Sequence, residues 1–168
     1  MTSVGAGSVM RVIALVLLAL AACAGEQPTF DQVAARLPPA SANTARIFVY
    51  REFQPYQSLE WVPVFLNGVT VGAVGPGKVI LRDVAPGTFT IEAKSEGLWP
   101  EQVKTVAVQA GQTIYAKITS FKGLNPTVNR PAELVAFVVV LMDPATAQRE
   151  IGPLRYEARR AMATERRG

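Results

Sequence analysis

The sequence predicts an all-β domain, an antiparallel sandwich of about seven or eight short strands, on three observations. From Ala45 onward the apolar residues recur with a period of two. Turn pairs, chiefly Asn-Gly, Pro-Gly and Ala-Gly, separate the apolar runs at short and regular intervals. The alternating stretch, residues 45–152, is long enough to close around a single core.

Residues 1–22 stand apart from that stretch. Met1 to Arg11 is small and polar, and Val12 to Ala22 is unbroken apolar sequence. This run is too short for a permanent spanning helix, which needs about 20 residues. It has the layout of an export signal, a helix-forming apolar core between a basic residue and small residues at the cut. Cys23, the only cysteine in the chain, follows Leu20-Ala21-Ala22 directly. Leu-Ala-Ala-Cys resembles the lipobox of bacterial lipoproteins. That likeness implies signal peptidase recognition at Leu20, Ala21 and Ala22, and a mature chain that begins at a lipidated Cys23. Ala19-Leu20-Ala21 and Ala22-Cys23-Ala24 also fit an ordinary signal cut, which would release a soluble protein. A lone cysteine cannot form a bridge within its own chain.

Residues 23–44 read as a tether. Within it, Thr29 and Gln32 have capping-box spacing, and Phe30, Val33, Ala34 and Leu37 share a helical face until Pro38-Pro39. A linker without fixed structure is the alternative, because so short a helix needs something to dock on.

Strands follow. Arg46 to Arg51 is rich in β-branched and aromatic residues. Val62 to Leu66, Asn67-Gly68 and Val69 to Gly72 predict a hairpin with a type I′ turn, since both turn residues tolerate positive φ. Pro63 cannot donate to a ladder, which places it at a strand start or a sheet edge. Val79 to Val84, Thr88 to Ala93, Val103 to Val108 and Thr113 to Ile118 come next, with a loop from Lys122 to Pro131. Glu133 to Met142 is apolar in both alternating sets, the signature of a strand covered on both faces. Asp143-Pro144 turns the chain, and a last short strand is expected over Ala147 to Ile151.

Residues 153–168 form a basic tail. Pro153, Leu154, Ala158, Ala161 and Met162 suit a short C-terminal helix; a frayed, solvated end is the plain alternative. After loss of residues 1–22 the chain carries 16 basic and 13 acidic residues, and the whole excess lies from Arg149 onward. The body is neutral, so the basic pI gives no ground for nucleic-acid binding. The tail arginines Arg155, Arg159, Arg160, Arg166 and Arg167 are candidates for contact with an anionic surface, either lipid phosphate or an acidic partner.

The run Phe65-Leu66-Asn67-Gly68-Val69-Thr70-Val71-Gly72, followed by Val84-Ala85-Pro86-Gly87-Thr88-Phe89-Thr90-Ile91, resembles the repeating core of PEGA-type domains. A fuller resemblance, over residues 45–152, is to small bacterial lipoproteins carrying the domain of unknown function numbered 2846. It rests on the lipobox, the Arg46-Ile47-Phe48-Val49-Tyr50-Arg51 opening, the hairpin, Pro86-Gly87 and the Gly111-Gln112-Thr113-Ile114-Tyr115 strand. It implies a sandwich of the immunoglobulin or transthyretin kind and supplies no active-site residues.

Catalytic signals are sparse. The chain has no histidine, so the commonest general base and metal ligand is missing. Asp31, Asp83 and Asp143 lack calcium-loop spacing, no Ser-x-x-Lys occurs, and no carboxylate spacing points to a hydrolase. Gly72 to Lys78 matches a Walker A loop through its lysine, but Val79 replaces the required Ser or Thr and a strand follows where a helix is needed. No cofactor, metal or nucleotide is expected. Phe53, Tyr56, Trp61 and Trp99 sit in or beside loops, where they either cap the sandwich or anchor a ligand. The expectation is a non-enzymatic lipoprotein, anchored to the membrane and facing the periplasm, that binds an envelope protein, peptidoglycan or lipid. Ala24 after the cysteine, rather than Asp, favours the outer membrane. The alternative is a soluble periplasmic carrier of a small apolar ligand.

Overall fold

Two sheets stack face to face in the computed structural model, which describes residues 27–55, 58–94, 102–124 and 133–157, with backbone alone for 121–124 and 133–135. Nine strands build them: β1 (Ala45–Arg51), β2 (Val62–Leu66), β3 (Val69–Val74), β4 (Lys78–Val84), β5 (Gly87–Ala93), β6 (Val103–Val108), β7 (Thr113–Leu124), β8 (Glu133–Met142) and β9 (Arg155–Tyr156). Helix α1 spans Phe30–Ala34 and helix α2 spans Pro144–Ile151. The five-stranded sheet runs β8-β7-β1-β4-β9 and the four-stranded sheet β3-β2-β5-β6. Ile47 and Val49 from the first meet Val62, Val64, Leu66 and Ile91 from the second, with Ile118, Phe137 and Val139 closing the core. The sandwich expectation holds.

The β2–β3 hairpin has the expected turn. Asn67 and Gly68 both have positive φ, 49° and 76°, as type I′ requires. The Asn67 side chain then ties the hairpin to β5: its Oδ1 accepts from the Thr90 N–H at 2.8 Å. Pro63 is not on an edge strand, because β2 lies between β3 and β5. It is tolerated there because the β5 pairing starts one residue later, at Val64.

Four expectations are revised by the topology. The pairing is mainly antiparallel, but β1 runs parallel to β7 and β4 parallel to β9. Residues 122–124, expected in a loop, extend β7 to Leu124. Residues 147–151 are helical: Asp143 caps α2 by accepting from the Thr146 N–H at 3.0 Å, and Pro144 sits in the first turn. Ala147 and Ile151, four apart, therefore share one buried helical face. Finally, Pro153 starts no helix within the described residues. The Leu154 side chain drops into the core beneath α2, and the open edge of β4 captures the next backbone groups, with the Arg155 N–H on the Gly77 carbonyl at 2.9 Å and the Glu157 N–H on that of Val79 at 3.0 Å.

The strand covered on both faces is β1, whose seven residues are all buried. In β8 the cover fails at its C-terminal end, where Val140 and Leu141 are about 40% exposed, because β8 lies at the sheet edge. The outer cover of β1 is a third layer. Phe48 and Tyr50 point away from the sandwich core into a second cluster with Val79, Tyr115, Ala147, Ile151 and Leu154. The N-terminal segment completes it: Phe30 meets the Phe48 ring edge-on at 5.3 Å between centroids. Backbone bonds hold this segment down, Phe30 N–H to Leu154 carbonyl at 2.7 Å, Asp31 N–H to Gly152 carbonyl at 3.1 Å and Tyr156 N–H to Pro28 carbonyl at 3.2 Å. The Gln32 side chain accepts from the Thr29 N–H at 2.9 Å and so starts α1.

Candidate functional site

The candidate site lies where β1 ends. Beyond Arg51 the chain leaves the sheet, and its course is set by that arginine. Arg51 is fully buried and feels the charge of Glu60. Its guanidinium donates to the Glu60 carbonyl at 2.7 Å, to the Ser58 carbonyl and to the Ser120 hydroxyl at 3.3 Å, and it lies 5.0 Å from the Phe137 ring centroid. The Ser120 hydroxyl in turn accepts from the Ser58 N–H at 3.2 Å. Burial pushes the Arg51 pKa down, and among the described residues its Nε has no hydrogen-bond partner. The result is a pinned loop that carries Phe53 and Trp61 around the end of the sheet.

A cleft of about 450 Å³ opens beside that loop, lined by Glu52 and Phe53, by the β3–β4 turn at Pro76 and Gly77, by Lys78, and by Glu150, Pro153, Leu154 and Arg155. Its acidic wall is one network. Tyr50 and Lys117 are register partners across the parallel β1–β7 pair, which sets a hydroxyl and an ammonium side by side under α2. Lys117 Nζ lies 2.5 Å from Glu52 and 2.9 Å from Glu150, and the Tyr50 hydroxyl donates to the same Glu150 oxygen at 2.7 Å. Burial works to raise the Glu150 pKa, but the bonds from Lys117 and Tyr50 outweigh it and hold the carboxyl below its usual range. Burial and the same bond push the Tyr50 phenol well up. Glu150 is thus a fixed carboxylate, suited to a charged binding wall and not to giving up a proton.

The opposite wall is basic. Lys78 pairs with Glu157 at 3.1 Å and bonds the Gln27 side chain, while Arg155 donates to the Gln27 carbonyl. Phe53 is 63% exposed, and Trp61, 39% exposed, has its ring centroid 6.0 Å from Lys78 Nζ. Trp61 also covers Gly75, where a Cβ would come within 2.8 Å of the indole. Among the described residues no group of three or more His, Cys, Asp or Glu could hold a metal. The turn at Pro76-Gly77 leads into strand β4, so the phosphate-loop pattern around it lacks the helix that such a loop requires.

Of the residues singled out from sequence, Phe53 and Arg155 line this cleft and Trp61 stands beside it, over Lys78. Leu20, Ala21, Ala22, Cys23, Tyr56, Trp99, Arg159, Arg160, Arg166 and Arg167 lie outside the described residues. Tyr50, Glu52, Lys117 and Glu150 were not legible as a group, because only the β1–β7 register and the position of α2 bring them together.

The family of the chain follows from residues 41–132, which span β1 to the end of β7 and match a family described as "Protein of unknown function (DUF2846)". This is more than half of the sequence. The chain belongs to the DUF2846 family. No curated protein and no solved structure matches it. The DUF2846 match leaves out α1, β8, α2 and β9, so four of the nine residues that line the cleft, Glu150, Pro153, Leu154 and Arg155, lie beyond the matched residues.

Proposed function

We propose that this chain is a non-enzymatic lipoprotein of the bacterial envelope, anchored through acyl chains on Cys23 and presenting its β-sandwich to the periplasm as an interaction module. The observation that carries the reading is the order Val12 to Ala22, then Cys23, with Leu20-Ala21-Ala22 at the junction and no second cysteine in the chain. The sandwich supports it, since its loops and edges offer recognition surfaces while its interior is packed with aliphatic side chains. A partner protein or peptidoglycan on the periplasmic side fits a body with balanced charge. Ala24 favours the outer membrane.

Mass spectrometry of the mature N-terminus tests this directly, with acylated Cys23 as the expected species. Cys23→Ser should leave an exported protein largely lost from the membrane fraction, since acyl chains contribute about 0.8 kcal/mol per buried methylene and several chains anchor durably. A serine variant that still pellets with membranes after a high-salt wash would overturn the lipid anchor. A mature chain cut without acylation would return the soluble carrier instead.

A further inference from the structure

We infer that the end of the sandwich carrying Phe53, Pro76, Lys78, Pro153 and Arg155 is the face held against the lipid headgroups of the anchoring membrane. The inference rests on the proposed lipidation of Cys23 and adds an orientation to it.

The first argument is length. Gln27 is already part of the body: its carbonyl accepts from Arg155, its side-chain oxygen from Lys78, and the next residues are bonded to β9 and to the turn before it. Only Ala24, Gly25 and Glu26 separate it from Cys23. Four residue steps reach at most about 14 Å even when fully extended. A lipidated Cys23 therefore cannot let this body swing freely. Whatever surrounds Gln27 stays close to the headgroup layer, at a high effective concentration of its surface.

The second argument is what surrounds Gln27. Lys78 and Arg155, its bonding partners, line the cleft together with Phe53, Pro76 and Pro153, while the two carboxylates of the lining, Glu52 and Glu150, are both held by Lys117. Trp61 stands over Lys78. Exposed aromatic rings beside basic side chains match the headgroup level of a bilayer, where amphipathic rings and cations both settle. The guanidinium of Arg155 has the planar fork that suits phosphate. Glu157 is paired to Lys78, and Arg159 and Arg160 follow within three residues, so the arginine-rich end starts from the same face as the lipid tether.

The other end of the strands makes the contrast. Arg51 pairs with Lys78 and Ala45 with Val84, so the turn at Gln109 to Gln112, bonded to the start of β1, is the length of a strand away. Ala110 in that turn is exposed.

The test uses full-length lipidated protein in vesicles of phosphatidylethanolamine and phosphatidylglycerol, with acylation confirmed by mass. Cys23 is blocked by its lipid, so Phe53→Cys and Ala110→Cys each give a single site for a spin label. Relaxation by oxygen dissolved in lipid is compared with relaxation by a water-soluble nickel complex. The expected result is a several-fold higher ratio of oxygen to nickel effect at position 53 than at 110. Equal ratios, a higher ratio at 110, or a label at 53 shielded from both reagents by a protein partner would overturn the orientation and leave the lipid anchor intact. Absence of acylation would instead remove the anchor on which the orientation rests.

Discussion

Arg46 and Arg51 bracket one strand and meet opposite surroundings. At the N-terminal end of β1, Arg46 faces its cross-strand partner Asp83 in a two-pronged contact, Nε to Oδ1 at 2.7 Å and Nη2 to Oδ2 at 2.9 Å, and gives a third bond to the Pro38 carbonyl. The bonds that Arg46 donates to Asp83 raise the Arg46 pKa and lower that of Asp83. At the C-terminal end, Arg51 donates to backbone carbonyls and a serine hydroxyl beside a ring, and burial lowers its pKa against the opposing pull of the Glu60 charge. One end of the strand is closed by a charge pair whose carboxylate is partly exposed. The other is a buried cation that exists to shape a loop, and the cleft forms around that loop.

The largest test of this contrast is Arg51→Ala. It removes the donors that hold the Ser58 and Glu60 carbonyls and leaves a cavity over Phe137, so unfolding in urea should show a loss of about 3 kcal/mol or more. Arg51→Met sharpens the point: it keeps the volume and removes the desolvated charge. Near-parental stability with a loosened 52–61 loop, read by hydrogen exchange, would mean that the arginine serves loop geometry more than stability.

Gly68→Val probes the quiet end of the sandwich. No atom lies within 4 Å of an added Cβ, so the whole effect is backbone strain at φ +76°, about 1 kcal/mol or more by thermal unfolding. The cleft should be unaffected. Arg46→Ala and Asp83→Asn should each cost about 1 kcal/mol, with a double-mutant cycle giving most of that as coupling, because Asp83 is partly exposed and its bond is screened. A coupling near zero would erase the difference between the two arginines.

The smallest effects are in the pH profile, and they separate the two ends. Asp83 and Glu150 titrate below their ordinary values of 3.8 and 4.5 when folded. Their contribution is complete above those values and drains away as pH falls below about 4. Tyr50 titrates above its ordinary 10.0, so its contribution is complete below pH 10 and is lost as pH rises beyond it. Asp83→Asn should shallow the acid limb to the share that Glu150 gives it and leave the alkaline limb unchanged. Tyr50→Phe should flatten the alkaline limb, which belongs to the cleft end.

Local chemistry was legible in the sequence and long-range pairing was not. Asn67-Gly68, Thr29 with Gln32 and most of the strand limits follow from turn residues and period two, which act over a few residues. Residues 147–151 were expected as one more short strand after a turn, while Asp143-Pro144 as cap and first turn, and Ala147 and Ile151 four residues apart, are helix signals. The doubly apolar pattern of β8 looked central, yet β1 holds that place. Its arginines hid this, since a buried arginine needs partners, here Ser58, Glu60 and Ser120, that no window of sequence contains. The cleft network depends on Tyr50 facing Lys117, and a parallel register leaves no trace in either strand.

The parallel pairing also fixes the order in which the protein can assemble. β1 is the first strand among the described residues, yet Arg46 must wait for Thr113 and Ala45 for Val84. Contacts this distant in sequence put folding on the scale of milliseconds to seconds. A chain that emerges N-terminus first holds Ile47-Phe48-Val49-Tyr50 bare throughout that interval, a segment apt to pair with its copies in other chains. Arg46 and Arg51 flank it on both sides, and before either finds its native partner they are the charges that keep such strands apart.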